Sequence, residues 1–409
     1  MIKFETFISI KNLVDFMGLN WNFKVWGAVA VVVLLLSMSG AYLSTIEQEN
    51  ESVSILARVN NDGSGIFVKN SVTELTITDP NGWRGLIFMT PGPSSIQHMI
   101  LSDIVKDMPP LKFAQWGTPG DSDTVFWTQM SPGNMLNYMF STSGSDIDGG
   151  IAWEPHYATA IADGRCKGIA VTSEYWPGHP CCVVAANNTF LLENEQSVER
   201  FLAGYSKSVD WILATLERDS SHPDYQLLLE LTTDIGTPKT PNAAQMSQGT
   251  AINAMKNITY AYTIDDLAEQ LAEVVDTYKS LGIVKENTLT DAGFGTPLDF
   301  TQHLIKGQYL AGVFNEDVLK SPEELGYNVG DHVATIHVAY LATDIHQMAL
   351  HVGINDKLGF FSEYGVHVIL DGPFPAGGDV MNALLSRHSD LGFVGSPPVV
   401  SSSVNALRS

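Results

Sequence analysis

Residues 85–97 contain the pattern that decides the fold, and they read Gly-Leu-Ile-Phe-Met-Thr-Pro-Gly-Pro-Ser-Ser-Ile-Gln. The first six residues are mostly apolar, and Pro91-Gly92-Pro93 ends them, which predicts a short buried strand. Ser94 and Ser95 then stand before a stretch with helical spacing, and serine is a favoured residue at a helix N-terminus. We therefore expect a strand, a turn of small residues and a helix start in direct succession.

The same succession occurs twice more, near the end of the chain. Residues 340–347 read Tyr-Leu-Ala-Thr-Asp-Ile-His-Gln, and residues 393–397 read Phe-Val-Gly-Ser-Pro. Free N–H groups and hydroxyls at helix starts bind anionic or polar groups, and ligands of open α/β sheets bind beyond the carboxyl ends of the strands. A single helix start of this kind ordinarily does no more than cap its helix. Three such helix starts, together with Trp153-Glu154-Pro155, favour a ligand site. We predict that its residues are Ser94, Ser95, Gln97, Trp153, Glu154, Thr343, Asp344, His346, Gln347, Gly395 and Ser396.

The rest of the chain alternates between strands and helices in the same way, with apolar spacing bounded by turn residues. Further strands are predicted at 148–153, 335–340, 366–370 and 390–394, and helices at 156–163, 197–217, 264–281, 344–353 and 378–385. Such alternation is typical of an α/β fold in which helices flank parallel or mixed sheets.

Composition excludes several classes of protein. The 409 residues carry 45 acidic and 22 basic side chains, a formal net charge of −23, and 44% of them are hydrophobic. The apolar content supports a large core, and the acidic balance argues against a nucleic-acid partner, which needs a basic surface. The three cysteines, Cys166, Cys181 and Cys182, form no CxxC pair and no Cys/His spacing of a zinc site. We expect no metal, no cofactor and no constellation of catalytic residues. The sequence leaves open whether Cys166 forms a disulfide with Cys181 or Cys182.

Residues 25–43 contain no charged side chain and are long enough, at about 1.5 Å per residue, to span a bilayer core. Lys3, Lys11 and Lys24 precede this stretch and acidic residues follow it. The positive-inside rule therefore predicts a cytoplasmic N-terminus and an extracytoplasmic body. We expect residues 1–50 to be a leader with a single-pass membrane anchor. Cleavage of a signal peptide near Ala41, which would release the protein, and a buried core helix are the alternatives.

Longer motifs surround the helix starts. Residues 337–347 form a strand followed by a loop, residues 358–366 read Leu-Gly-Phe-Phe-Ser-Glu-Tyr-Gly-Val, and residues 148–155 end in Trp-Glu-Pro. Together with residues 382–395 and 92–98, they resemble the periplasmic substrate-binding proteins of ABC importers in the nitrate, sulfonate and taurine group, whose relatives include thiamine-pyrimidine binders. The resemblance extends over most of the chain beyond the N-terminal apolar stretch.

The resemblance implies a two-lobed periplasmic-binding-protein type II fold, here joined to the N-terminal transmembrane helix. In that family the Gly-Phe-Phe segment comes first, whereas here residues 334–403 follow residues 55–314. We interpret this order as a circular permutation; a spliced partial tandem copy is the alternative, although no segment is duplicated. Restoring the usual order predicts lobe one from residues 51–74 and 183–409, lobe two from residues 75–182, and a cleft between them.

The resemblance also implies the extracytoplasmic solute-binding component of an ABC importer. Its expected partners are the permease and ATPase subunits, a small-molecule ligand, and the membrane through the N-terminal helix. The pocket motifs contain no Lys or Arg, which favours a small polar organic solute, such as a sulfonate, a taurine-like compound or a pyrimidine. Asp344 and Glu154 would repel a bare anion unless they are screened or face elsewhere. A membrane-anchored ligand sensor and a thiamine-pyrimidine-synthase-like enzyme are the alternatives.

Overall fold

The computed structural model describes residues 53–240, 243–328 and 331–407, which lie in one compact unit. The predicted leader and membrane anchor, residues 1–50 with the helix at 25–43, lie outside the described residues. Among the helices of the described ranges, none is both long and apolar enough to cross a bilayer.

Strands of the described chain assemble into two six-stranded sheets. Those of the first sheet are β1 (Val53–Asp62), β8 (Pro180–Asn187), β9 (Ile258–Tyr260), β10 (Ala334–Leu341), β11 (Val366–Phe374) and β12 (Leu391–Gly395). Those of the second sheet are β2 (Ser64–Lys69), β3 (Ile87–Thr90), β4 (Lys112–Gln115), β5 (Thr124–Gln129), β6 (Gly149–Trp153) and β7 (Cys166–Val171). The strand orders are β11-β10-β12-β8-β1-β9 and β4-β5-β3-β6-β2-β7.

Both sheets mix parallel and antiparallel pairs, which agrees with the predicted α/β class. In the first sheet, β10 is parallel to β11 and β12, while β8 is antiparallel to β12 and β1. In the second sheet, β3 is parallel to β5 and β6, while β2 is antiparallel to β6 and β7. Every residue of β8 is buried, and since successive side chains of a strand point to opposite faces, both faces of this strand are covered.

Helices connect the strands and cover the sheets. They are α1 (Ile96–Lys106), α2 (Pro132–Met139), α3 (His156–Ala162), α4 (Asn188–Glu193), α5 (Glu195–Leu216), α6 (Pro223–Gly236), α7 (Gln248–Met255), α8 (Leu267–Ser280), α9 (Thr288–Asp291), α10 (Pro297–Leu304), α11 (Gly307–Gly312), α12 (Glu316–Leu319), α13 (Met348–Gly353), α14 (Phe360–Glu363), α15 (Gly377–Leu385) and α16 (Ser396–Ala406). Short 3₁₀ turns occur at Thr142–Gly144, Thr172–Glu174 and Ile345–Gln347.

Some helices begin at a later residue than the sequence predicts. The helix expected at 264–281 begins only at Leu267, because Asp266 takes a left-handed φ of +56° that interrupts the helical backbone. The segment expected as one helix at 344–353 is a 3₁₀ turn, Ile345–Gln347, followed by α13. Local apolar spacing therefore located these elements but not their first turns.

The first sheet brings together segments that are far apart in sequence. β1, near the start of the described chain, pairs with β8, and β8 pairs with β12, near its end. Residues 391–395 are therefore built into the same sheet as residues 53–62. This adjacency is the one that a circular permutation requires, although the permutation itself stays a prediction.

The chain passes between the two sheets at two neighbouring places. The first is Gly63, between β1 and β2, where φ is +88°, a value that glycine adopts without strain. The second lies between β7 and β8. Asp62 joins the two passages, because its N–H donates to the His179 carbonyl at 3.1 Å and its Oδ1 accepts from the Gly178 N–H at 2.9 Å.

These passages differ from the lobe boundaries expected at 74/75 and 182/183. Residues 64–69, which the sequence pattern placed with the first lobe, form β2 and pair with β6 and β7 of the second sheet. The chain turns at Gly63, within the polar stretch of residues 60–65, so it passes to the second sheet before residue 64 rather than after residue 74. Beyond this correction, the division into lobes 51–74 with 183–409 and 75–182 stays a prediction.

Candidate ligand-binding site

A cavity of about 220 Å³ lies where the two sheets meet. The side of the second sheet is lined by Pro91, Ser94, Ser95, Ile96, Gln97, Gln129 and Trp153. The side of the first sheet is lined by Cys181, Cys182, Leu341, Asp344, His346, Ala376, Gly377, Gly378, Gly395, Pro397 and Pro398. We call these two sides the second-sheet wall and the first-sheet wall.

Most of the predicted site residues line this cavity. They are Ser94, Ser95, Gln97, Trp153, Asp344, His346 and Gly395. The remaining four predicted residues, Thr343, Gln347, Ser396 and Glu154, lie outside its lining. Residues from all three predicted helix starts therefore line one cavity, whereas the ligand contacts of all eleven residues stay a prediction.

Gly92 and Ser95 shape the helix start on the second-sheet wall. The φ of Gly92 is +125°, and a Cβ at this position would lie only 2.7 Å from Gln129 Nε2. Ser95 Oγ accepts from the His98 N–H at 3.1 Å and donates to the Gly92 carbonyl at 2.7 Å. The Ser95 hydroxyl thus caps α1, while the neighbouring Ser94 is exposed.

Trp153 ends β6 on the same wall. Its Nε1–H is buried and has no hydrogen-bond partner among the residues that the structure describes. An indole N–H can only donate, and leaving a buried donor unpaired costs about 1–3 kcal/mol. Trp153 also lines the cavity, so the second-sheet wall contains a residue with an unpaired donor.

Glu154 follows Trp153 but is turned away from the cavity. Its Oε1 accepts from Asn257 Nδ2 at 2.7 Å, and its Oε2 accepts from the Ala158 N–H at 3.0 Å. Burial raises the pKa of Glu154, although these two hydrogen bonds oppose the shift. The carboxylate therefore ties the end of β6 to the segment before β9, and both of its oxygens are already used.

Asp344 and His346 form a buried ion pair on the first-sheet wall. Both side chains are 1% exposed, and Asp344 Oδ1 lies 3.1 Å from His346 Nδ1. His346 Nε2 lies 2.9 Å from the Gly63 carbonyl, so each ring nitrogen has an acceptor within hydrogen-bond distance. Burial alone lowers the pKa of His346, but the negative charges of Cys181 and Asp344 outweigh it and raise that pKa well above its usual value.

The charge of Asp344 is therefore screened within its own loop. Its Oδ1 also accepts from the His346 N–H at 3.0 Å, and its Oδ2 accepts from Gln347 Nε2 at 3.1 Å. Both conditions under which an anion could be tolerated are met, because Asp344 is paired and Glu154 faces elsewhere. The first-sheet wall presents a balanced pair of charges rather than a bare carboxylate.

Gln347 and Ser396 hold the strand ends of the first sheet together. Gln347 Oε1 accepts from the Leu341 N–H at 3.0 Å, and its Nε2 donates to the Phe393 carbonyl at 3.2 Å. Ser396 Oγ donates to the Pro180 carbonyl at 2.8 Å. These side chains position the loops that form the cavity.

Two further side-chain contacts lie beside the place where the sheets meet. Thr343 follows β10, has a left-handed φ of +53°, and places its Oγ1 3.3 Å from Nε2 of His156 at the start of α3. Gln97 Nε2, at the start of α1, donates to Ser64 Oγ at the start of β2 at 2.9 Å. The first contact joins elements of the two sheets, and the second fixes α1 beside the passage at Gly63.

Cys181 and Cys182 line the cavity and were not among the predicted site residues. Their Sγ atoms are 3.8 Å apart and lie 3.9 and 4.0 Å from His346 Nδ1. Contact with the Cys182 thiol, together with the charge of His346, lowers the pKa of Cys181. All three cysteines are free, and Cys166 lies on β7 with its Sγ 3.9 Å from Met139 Sδ. The signal in the sequence was two adjacent cysteines at a strand start, but the histidine that completes the group is 164 residues away.

Two mixed α/β sheets with a cavity at their strand ends form the kind of crevice in which α/β proteins commonly bind small ligands. Residues 25–222 match the model of the NMT1-like family. The match confirms the resemblance to the nitrate, sulfonate and taurine group that the motifs indicated. Among curated proteins, no sequence matches significantly.

Three solved structures are similar to parts of the chain. The ligand-binding component of an ABC-type import system from Staphylococcus aureus, solved with zinc bound, is 14% identical over 66% of this chain and 77% of that chain, with a TM-score of 0.43. The periplasmic nitrate-binding protein NrtA from Synechocystis PCC 6803 is 12% identical over 64% and 66%, with a TM-score of 0.45. The periplasmic aliphatic sulphonate binding protein SsuA from Escherichia coli is 13% identical over 57% and 66%, with a TM-score of 0.41.

Proposed function

We propose that the chain is the extracytoplasmic solute-binding component of an ABC importer and binds a small polar organic solute without changing it chemically. The observation that carries this proposal is a cavity of about 220 Å³ lined by residues of both sheets. One of these residues is Trp153, whose buried Nε1–H has no hydrogen-bond partner among the described residues. A ligand acceptor atom would satisfy that donor. Permease and ATPase subunits are the proposed partners, as in the importers of the resembling family.

The size of the cavity limits the solute. The cavity has a volume of about 220 Å³. Pockets for drug-sized ligands are larger, at about 300–1,000 Å³. The proposed solute is therefore a compact one, such as a sulfonate, a taurine-like compound or a pyrimidine.

The charges of the cavity favour a solute with two different ends. One end is anionic or polar, and the other end is basic or neutral. Among the described residues that line it, none is Lys or Arg. The N–H groups at the start of α1 and the Trp153 Nε1–H are donors for the anionic or polar end. The Asp344–His346 pair on the opposite wall balances its own charges, so it does not oppose a neutral or basic end of the solute.

We further propose that the two sheets belong to two lobes that close on the solute, and that the chain is a circular permutation of the family's usual order. The pairing of β1 with β8 and of β8 with β12 supports the permutation, because it joins the beginning and the end of the described chain in one sheet. The neighbouring passages at Gly63 and between β7 and β8 support closure, since two adjacent links form a hinge.

Residues 25–43 are proposed to anchor this body to the outer face of the cell membrane. Cell fractionation combined with mass determination of the mature N-terminus tests the proposal. An intact N-terminus in the membrane fraction is expected. A soluble product that begins near Ala41 would overturn the anchor and favour secretion after cleavage.

Calorimetric titration of the full chain with sulfonates, taurine, nitrate and pyrimidines tests the solute proposal. One class is expected to bind with one molecule per chain. The substitution Trp153→Phe keeps an aromatic ring but removes the N–H, and we expect it to weaken binding about tenfold, or about 1.4 kcal/mol.

Trp127→Phe is the matched control, because Trp127 lies on β5 of the same sheet and outside the lining of the cavity. Affinity in this variant should equal that of the unmodified chain. Equal losses in the two variants would mean that the cavity is not the binding site. Consumption of the bound compound in a single-turnover experiment would overturn the binding function in favour of the synthase-like alternative.

A further inference from the structure

Three side chains with metal-binding atoms converge on the first-sheet wall. The Sγ atoms of Cys181 and Cys182 and the Nδ1 atom of His346 form a triangle with edges of 3.8, 3.9 and 4.0 Å. All three residues are buried, and all three line the cavity. Nothing in the proposed solute-binding function requires this arrangement.

A bulge in β8 explains how two consecutive cysteines can point to the same place. Along a regular strand, neighbouring side chains point to opposite faces. Here Asn60 of β1 is opposite Cys182, but the next residue, Asn61, is opposite Pro180, so Cys181 is the extra residue of a bulge. Bulges of this kind redirect a side chain and often lie beside functional sites.

The dimensions of the triangle suit a metal ion. Two sulfur atoms bound at about 2.3 Å with a tetrahedral angle are about 3.8 Å apart, which is the observed separation of the two Sγ atoms. The two distances from Sγ to Nδ1 are a few tenths of an ångström longer than a bound ion requires. Small rotations of the side chains can remove this difference. Thiolate and imidazole ligands select soft or borderline ions and disfavour Mg²⁺ and Ca²⁺.

The surroundings of His346 match those of a metal ligand. A ligating histidine ordinarily donates its other ring N–H to a carbonyl or carboxylate, which fixes the ring. His346 Nε2 makes such a bond to the Gly63 carbonyl at 2.9 Å, so that Nδ1 faces the two thiols. The proton between Nδ1 and Asp344 Oδ1, 3.1 Å apart, would leave when an ion takes its place.

We propose that Cys181, Cys182 and His346 bind one closed-shell thiophilic ion, Zn²⁺ or Cu⁺, at the first-sheet wall of the cavity. One coordination position of the ion would then be open toward the cavity or occupied by an Asp344 oxygen. This proposal goes beyond solute binding and does not depend on which solute the cavity takes.

Metal titration of the full chain tests the proposal, with the protein reduced, freed of metal by a chelator and kept without solute. Zn²⁺ is titrated in competition with a chromophoric chelator, Cu⁺ likewise under anaerobic conditions, and Mg²⁺ serves as the ion that should not bind. We expect one equivalent of Zn²⁺ or Cu⁺ per chain. Co²⁺, as a spectroscopic substitute for Zn²⁺, should give a thiolate-to-cobalt charge-transfer absorption.

The variants Cys181→Ser and Cys182→Ser are each expected to lower the affinity about 100-fold or more, since even the second-shell partners of metal ligands are worth about 10- to 100-fold. Cys166→Ser is the matched control, because Cys166 is equally free and buried but lies on β7, away from the cavity. It should bind the ion like the unmodified chain.

Three results would overturn the proposal. They are the absence of stoichiometric Zn²⁺ and Cu⁺ binding, the absence of thiolate-to-cobalt absorption in the unmodified chain, and an equal loss of affinity in Cys166→Ser. The spectrum of the unmodified chain decides the question even if a variant fails to fold. Solute titrations on metal-free protein distinguish this failure from a failure of the proposed solute-binding function.

Discussion

The two walls of the cavity are built differently. On the first-sheet wall, Asp344, His346 and the adjoining Gln347 bond one another and the backbone, and they are almost completely buried. On the second-sheet wall, Ser94 is exposed and the Trp153 Nε1–H has no partner among the described residues. The Asp344 group is hydrogen-bonded within the protein, whereas the second-sheet wall keeps one unpaired donor.

This difference separates two tasks. A network of satisfied buried polar groups fixes the positions of its members, because any displacement leaves one of them unpaired in a region of low dielectric. An unsatisfied donor contributes little to stability but gains free energy when a ligand supplies an acceptor. Substitutions in the group of Asp344, His346 and Gln347 should therefore act mainly on folding, and removal of the Trp153 N–H mainly on binding.

The largest effect is expected from Asp344→Ala on the first-sheet wall. The buried His346 would lose its ion-pair partner, and Gln347 Nε2 would lose an acceptor at 3.1 Å. Removing one partner of a buried pair costs about 3–5 kcal/mol. We expect the free energy of unfolding, from denaturant titration in the presence of a chelator, to fall by this amount.

Asp356→Ala provides the comparison, because Asp356 is exposed beyond the end of α13. Its effect on the free energy of unfolding should stay within about 0.5 kcal/mol. A loss in Asp344→Ala that is no larger than this would contradict the idea of a wall held by its own ion pair.

A second effect, on the pH dependence of stability, comes from the helix that starts on the second-sheet wall. Within α1, His98 Nδ1 lies 3.0 Å from Thr90 Oγ1, and its ring is edge-on to Trp127. Burial, with a smaller contribution from Lys106, lowers the pKa of His98 from 6.5 to about 4. The unfolded chain therefore takes up this proton at a higher pH than the folded chain.

Neutral His98 therefore makes its full contribution to the free energy of unfolding above pH 6.5. This contribution, about 3 kcal/mol, is lost as the pH falls from 6.5 toward 4. Urea titrations across this range should show a shallower pH dependence for His98→Asn than for the unmodified chain. His388→Asn, at an exposed histidine, is the control. An unchanged slope in His98→Asn would show that His98 does not have the depressed pKa.

The smallest effect is expected from Ser95→Ala, which removes the cap of α1. Loss of a serine cap costs about 1 kcal/mol, since the His98 N–H loses its acceptor at 3.1 Å. Ser94→Ala, one residue away and exposed, should leave the free energy of unfolding nearly unchanged. Thermal unfolding of the two variants measures the difference, and equal losses would contradict the assignment of the cap to Ser95.

Local sequence signals were sufficient to predict the strand, turn and helix start that form the cavity. The strand predicted at 85–90 is β3, Ile87–Thr90, and the strand predicted at 390–394 is β12, Leu391–Gly395. Both predictions rest on an apolar run that is ended by glycine or proline within a few residues. Such signals act over one or two turns of backbone, so the sequence contains them in full.

The chemistry of the walls could not be predicted in the same way, because it depends on pairs that are distant in sequence. Glu154 was expected to face a ligand, yet its oxygens accept from Asn257 and Ala158. Cys181 and Cys182 showed no recognisable spacing to a histidine, and only a bulge and the order of the strands bring them to His346. No local pattern specifies such pairs.

The two adjacent chain passages, at Gly63 and between β7 and β8, also suit this protein to use as an optical sensor. They lie among β1, β2, β7 and β8, whereas the edge strands β4 and β11 are several strands away in their sheets. If the lobes close on a solute as proposed, a small rotation about the passages becomes a larger displacement between those two edges. A donor dye on β4 and an acceptor dye on β11 would then convert occupancy of a cavity of about 220 Å³ into a change in energy transfer, without a label near the solute.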